Sequence, residues 1–193
     1  MKYLFIIPLL LLSYCSQMFA QQENKLTPVA AALFKNIQTK LTVTAQNSIA
    51  EKLGFVLSGN EEQPFAQDKE SKDYPFAATV LPTDINKDGK EEIFISYGNA
   101  FTSGNTGSSI VLFIPSTAGS YTPHLNFPGT VPDVLATSNQ GYPDLLIGGP
   151  GMEFPVYRWN GKTYALYKTI KDTDYDKLKK VNIEDLSKAY IKG

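Results

Sequence analysis

Residues 84–92 read Asp-Ile-Asn-Lys-Asp-Gly-Lys-Glu-Glu, a D-x-N-x-D-G-x-x-E pattern between two short apolar runs. Those runs, residues 76–81 and 93–97, are rich in β-branched and aromatic residues, so both are predicted strands. The stretch is therefore a strand–loop–strand unit. An EF-hand would need a bidentate Glu at loop position twelve, and counting from Asp84 that position is Ile95. Oxygen-bearing side chains at alternate positions turn to one side of a tight loop, and Gly89 permits the bend that brings later ligands round. The pattern suits one hard cation. The Ca²⁺ set it implies is the side chains of Asp84, Asn86, Asp88 and Glu92 with the backbone carbonyl of Lys90. The competing reading is a polar hairpin turn, since Asn, Asp and Gly also dominate turns.

The unit recurs. Residues 80–83, Val-Leu-Pro-Thr, are echoed by residues 134–137, Val-Leu-Ala-Thr, and residues 90–95 are echoed by 142–147. The second copy has a shorter connection, Ser138 to Gly141, and keeps only Asp144 of the acids. It is expected to bind no metal.

These residues carry a resemblance. Asp84-x-Asn86-x-Asp88-Gly89-x-x-Glu92 with its following strand resembles the calcium loop of FG-GAP and VCBS-type repeats. Gly141 to Gly149 is similar to the strand leaving such a loop, and residues 157–164 resemble the closing hairpin of small secreted bacterial proteins that contain one such unit. The resemblance spans roughly residues 76–167 and rests mainly on the loop. It implies Ca²⁺ at the edge of a β-sheet and a setting in adhesion or surface proteins. Glu92 departs from it, standing where an Asp is usual. The β region is also too short for the four to eight blades of a propeller.

The remaining elements complete a mainly β (α+β) fold: an antiparallel hairpin meander with flanking helices, not a closed propeller. Thr27-Pro28 opens a helix with Val29, Ala32, Leu33 and Ile37 on one face. A second helix runs from Thr44 to Leu53 and stops at Gly54, giving a helical region over 27–54. Residues 59–73 read as a loop, and the β region spans 76–169. Its strands include Ser109 to Ile114, Val131 to Thr137 and Asp144 to Ile147. Asn160-Gly161 predicts a tight type I′ hairpin. Asn182 caps a last helix over 182–192, with Ile183, Leu186 and Tyr190 inward.

Residues 1–20 have the pattern of a secretory signal peptide: Lys2, an apolar run, then Ala20 before Gln21-Gln22. The expected product is periplasmic or extracellular, a single domain over 21–193. The competing reading is a lipoprotein anchored at Cys15, because residues 12–15, Leu-Ser-Tyr-Cys, resemble a lipobox with Tyr14 at its small-residue position. Cys15 is the only cysteine, so the product would have no disulfide and no thiol nucleophile. Losing Lys2 from 18 basic residues leaves 17 against 19 acidic ones. With no basic patch, nucleic acid is not an expected partner.

No nucleophile–base set is recognisable around His124, the only histidine, which sits beside Pro123 in an expected loop. Gly104 to Ser109 lacks the Lys of a phosphate loop. Asp133, Asp144 and Glu153 are the carboxylates from which a glycosidase pair would be drawn. Trp159 shares a strand face with Tyr157, either in the core or in a face for protein or glycan. The expectation is a non-catalytic binding or interaction module with one structural Ca²⁺. The alternatives are a secreted hydrolase of cell-wall or polysaccharide material, or an inhibitor of one.

Overall fold

A computed structural model describes residues 25–148 and 153–193. The expected leader and Cys15 lie outside the described residues. Helix α1 (Pro28–Leu33) begins where Thr27 accepts the Ala30 N–H and Pro28 fills the first turn. It ends before Ile37, because Phe34 closes it and Asn36 takes φ 62°. Helix α2 (Val43–Leu53) is capped by Thr42 and closed by Gly54 at φ 71°, the left-handed conformation that suits glycine. The expected loop beyond it contains a two-residue pairing of β1 (Val56–Leu57) with β2 (Phe65–Ala66).

Two sheets follow. Sheet I is an antiparallel meander of β3 (Ala78–Thr83), β4 (Glu92–Tyr97), β5 (Ser109–Pro115) and β6 (Tyr121–Pro128). The short helix α3 (Ala100–Ser103) and a 3₁₀ turn at Gly104–Thr106 link β4 to β5. Sheet II repeats the meander with β7 (Asp133–Asn139), β8 (Tyr142–Leu146), β9 (Phe154–Trp159) and β10 (Tyr164–Ile170). The repeat seen in the sequence is the leading hairpin of each sheet. A strap ends the chain: α4 (Asp172–Tyr175), then β11 (Lys180–Asn182) paired to β7, then α5 (Ile183–Lys192) against β3.

Sheet I is apolar on both faces, which is why β5 reads as an almost unbroken apolar run. Val80, Ile93, Ile95 and Val111 face the N-terminal helices. Leu81, Phe94, Ile110 and Leu112 face Leu145, Ile147 and Trp159 of sheet II. The repeat aligns Leu81 with Leu135 and Phe94 with Leu146, and that second pair lies on the outer face of sheet II with Val156. The sheets therefore stack in one sense: sheet II turns outward the face that sheet I turns toward sheet II. Ile170, Tyr175 and Leu178 cover part of that outer face.

Two local expectations need correction, and one strand was not foreseen. Residues 121–128 form strand β6, so His124 is not in a loop. Tyr121 and Leu125 are buried while Pro123 is exposed, and β6 is an edge strand, which needs no N–H from Pro123 toward solvent. The Asn160-Gly161 connection is wider than a two-residue turn. Trp159 pairs with Tyr164, and the Asn160 carboxamide oxygen accepts the N–H groups of Lys162 and Thr163 at 3.0 Å each. The C-terminal strand β11 was not legible beside the helix it precedes, because three residues carry no period.

Candidate functional site

Residues 84–91 form the connection between β3 and β4. Asp84 accepts the N–H of Asp88 on one carboxylate oxygen and that of Gly89 on the other, both at 3.0 Å. The Asn86 carboxamide oxygen accepts the same Asp88 N–H at 3.0 Å. Asp88 accepts from Lys90 N–H at 2.8 Å. Lys87 and Gly89 take φ 60° and 84°, so the loop coils tightly enough for Asp84, Asn86 and Asp88 to share it. Lys90 is exposed. Among the described residues, no three Asp, Glu, His or Cys side chains stand together at metal-holding distance.

Glu92 sits apart from the exposed end of the loop, at the start of β4. It is 0% exposed and faces sheet II on the Phe94 side. Its carboxylate accepts the Ile85 N–H at 2.9 Å and the Tyr142 hydroxyl at 3.1 Å. Among the described residues no cationic side chain pairs with it. Burial, with help from the charges of Asp88 and Asp84, pushes its carboxyl up to about 7 against those two hydrogen bonds. Tyr142, half-buried beside it, is pushed up as well, by burial first and then by the Glu92 charge.

The aligned position in the second hairpin is Asp144, also 0% exposed. There the acid is neutralised. Arg158 makes a two-pronged ion pair with it, Nε to one oxygen at 2.8 Å and Nη2 to the other at 2.7 Å, and Thr137 adds a hydroxyl. Burial alone would push the Asp144 carboxyl up; the hydrogen bonds from Arg158 and Thr137 outweigh it and hold the group below its ordinary value. Arg158 also stacks over Tyr167, 3.6 Å from the ring centre. The strand registers explain the contrast. Arg158 on β9 lies across from Asp144, and the matching place on β5, across from Glu92, is Ile114. One buried acid has a resident cation and the other has an isoleucine.

The neighbouring Glu91, 3% exposed, serves the scaffold. Its carboxylate takes the Thr39 hydroxyl and the Lys40 N–H, and its carbonyl takes the Tyr121 hydroxyl at 2.9 Å, fastening the helical layer to the end of the loop. His124 joins the sheets, with Nδ1 donating to the Lys162 carbonyl at 2.6 Å and its ring against Trp159. Trp159 is 8% exposed and belongs to the core between the sheets. Asp133 accepts from Tyr175 and Asn182, Asp144 is held by Arg158, and Glu153 is exposed.

Arg158 and Tyr142 carry much of the site's electrostatics and were not singled out by the sequence for that role. The signal was available: the repeat aligns Glu92 with Asp144, and strand alternation places Arg158 opposite Tyr157 and Trp159. Among the described residues no helix is long and apolar enough to cross a membrane. Comparison with family models, with curated proteins and with solved structures finds no match to this chain.

Proposed function

We propose that the protein is a non-catalytic binding or interaction module of the FG-GAP/VCBS type, acting outside the cytoplasm and stabilised by one Ca²⁺ in the 84–92 loop. The observation that carries the metal reading is Glu92. A carboxylate removed from water needs a cation, a proton or several donors. Its aligned partner Asp144 has Arg158, whereas Glu92 has, among the described residues, one N–H, one hydroxyl and Ile114 across the strand. In kind the donors suit a hard cation, all being oxygens and three of them carboxylates; Asp84, Asp88 and Glu92 would have to close on the ion, since they do not stand together at metal-holding distance. Asp84, Asn86, Asp88 and Glu92 would hold the ion with the Lys90 carbonyl. The bound ion would supply the positive charge that Arg158 supplies in the second hairpin.

Calorimetric titration of the metal-free protein with Ca²⁺ tests this. One site is expected, lost in Asp88→Ala and kept in Asp144→Ala once the latter is shown to fold. No heat of binding in the wild type, or a second site abolished by Asp144→Ala, would overturn the reading.

A further inference from the structure

A cleft of about 650 Å³ opens beside the loop, between the β3 end, β7 and the C-terminal strap. That volume lies within the range of small-molecule sites. Its walls are mostly aliphatic, with Ile85, Val134, Ala136, Pro143 and Leu186 prominent, and Tyr190 is the one aromatic residue. The charged residues on it are three lysines, Lys87, Lys179 and Lys180, against the single acid Asp84. The lining is thus positive by two charges in a chain whose net charge is −1. Lys180 is engaged with the Tyr175 carbonyl at 3.0 Å. Lys87 and Lys179 are exposed, and neither has an ion-pair partner among the described residues. The Tyr190 hydroxyl is the buried side-chain polar atom without a partner among those residues.

We infer that this cleft binds a small amphipathic anion, an alkyl chain with a carboxylate head. The chain would lie on the aliphatic walls, and the head would meet Lys87 and Lys179 at the rim. An aliphatic lining favours an alkyl body over a flat aromatic one, which gains most from stacking against aromatic rings. The lysine excess favours an anion over a neutral lipid or a cation. The inference rests on the binding-module reading, whose ligand class it names, but not on the metal. Asp84 couples the two, because it is both a wall of the cleft and a candidate Ca²⁺ ligand. A bound cation would cancel the one negative charge facing the carboxylate.

Calorimetry with octanoate, octanol and acetate, each in Ca²⁺ and in chelator, tests the inference on the full chain. Octanoate is expected to bind at one site, with octanol at least about fivefold weaker and acetate showing no binding, since a rim charge and the burial of several methylenes both contribute. Ala136 is exposed at the cleft, so Ala136→Trp is expected to fold and to block octanoate. Lys87→Glu with Lys179→Glu is expected to weaken octanoate about tenfold while leaving octanol unchanged. Absence of octanoate binding in both conditions, or undiminished binding to a folded Ala136→Trp variant, would overturn the cleft and leave the loop's own titration standing. Octanoate binding a few-fold tighter in Ca²⁺ supports both readings. Binding indifferent to Ca²⁺ upholds the cleft and counts against the metal at Asp84.

Discussion

Glu92→Gln should stabilise the metal-free protein and lose that advantage in calcium. In the metal-free protein the Glu92 carboxyl stands at about 7 against 4.5 in a solvated glutamate. At pH 8 both the folded and unfolded states carry the charge, and a raised value means that the folded state bears it at a cost. A difference of two to three units corresponds to about 3 kcal/mol. Gln removes that charge while keeping the shape. Its carbonyl oxygen can take the Ile85 N–H, and the Tyr142 hydroxyl can turn to accept from the new amide. The loss of charge-assisted hydrogen bonds offsets part of the gain, leaving about 1–2 kcal/mol of net stabilisation. For a domain of this size that raises the melting temperature in chelator at pH 8 by roughly 2–8 °C. The pH dependence follows from the same group. Above 4.5 the unfolded chain loses the proton while the folded chain keeps it until about 7. The Glu92 contribution is therefore fully present below 4.5 and is lost as pH rises through 7, so metal-free wild type should soften between pH 5 and 8 and Glu92→Gln should not. In Ca²⁺ the difference closes. With a dissociation constant of ~0.1 mM and ~1 mM free ion, mass action adds ~1.4 kcal/mol to the wild type, or roughly 3–6 °C. The variant should gain little. Thermal melts in chelator and in Ca²⁺, at pH 5 and pH 8, read all four states. A variant less stable than wild type in chelator at both pH values would refute the reasoning, because Glu92 would then be a net stabiliser as an ion.

Arg158→Met should cost about 3 kcal/mol by denaturant melt, since it strands the buried Asp144 charge, and adding Asp144→Asn should recover more than half. A cost no larger than that of an exposed pair would show that water reaches Asp144. A chain ending at Ile170 should self-associate in light scattering, because it bares Leu135, Leu146 and Val156 on the outer face of sheet II and the edge of β7. A monodisperse truncated chain with the wild-type melting point would show that the strap is not a cover.

The elements legible in the sequence are those whose period matches their burial. In β4, Ile93 and Ile95 face the helices and Phe94 faces sheet II, and both faces are apolar, so the strand stands out as a block. Asn182 marked α5 because its side chain accepts the Glu184 N–H at the point where the 3.6-residue pattern starts. Strand β6 escaped because Pro123 and Pro128 punctuate it, and its free edge is what tolerates them. The loop was legible as a set of oxygens. Its connection to Tyr142 was not, because that contact joins residues fifty positions apart in different sheets, and pairing of that kind leaves no local trace.

The stacking of the sheets explains why the two hairpins, alike in sequence, answer the same electrostatic problem differently. Each places a carboxylate at an aligned position of its second strand, on the same face of its sheet. In sheet I that face is covered by sheet II, so Glu92 lies at an inter-sheet contact with Tyr142 above it and Ile114 beside it. An arginine in the place of Ile114 would have to bury its whole stem and fork between two packed sheets, where lost hydration outweighs the attraction unless every donor is met. In sheet II the same face is the outer one. Arg158 keeps its side chain 27% exposed there, lies over Tyr167, and still reaches Asp144 with two hydrogen bonds. An outer face can draw its cation from a side chain that remains hydrated at one end. An inner face cannot, and under the proposed metal reading its cation would come through the 84–91 loop at the sheet's end. In sheet II that route is closed: Gln140-Gly141 alone separates β7 from β8, too short a connection to present the alternating oxygens. Loop length and side-chain cation therefore vary together, long and oxygen-lined where the acid is enclosed, short where Arg158 stands beside it.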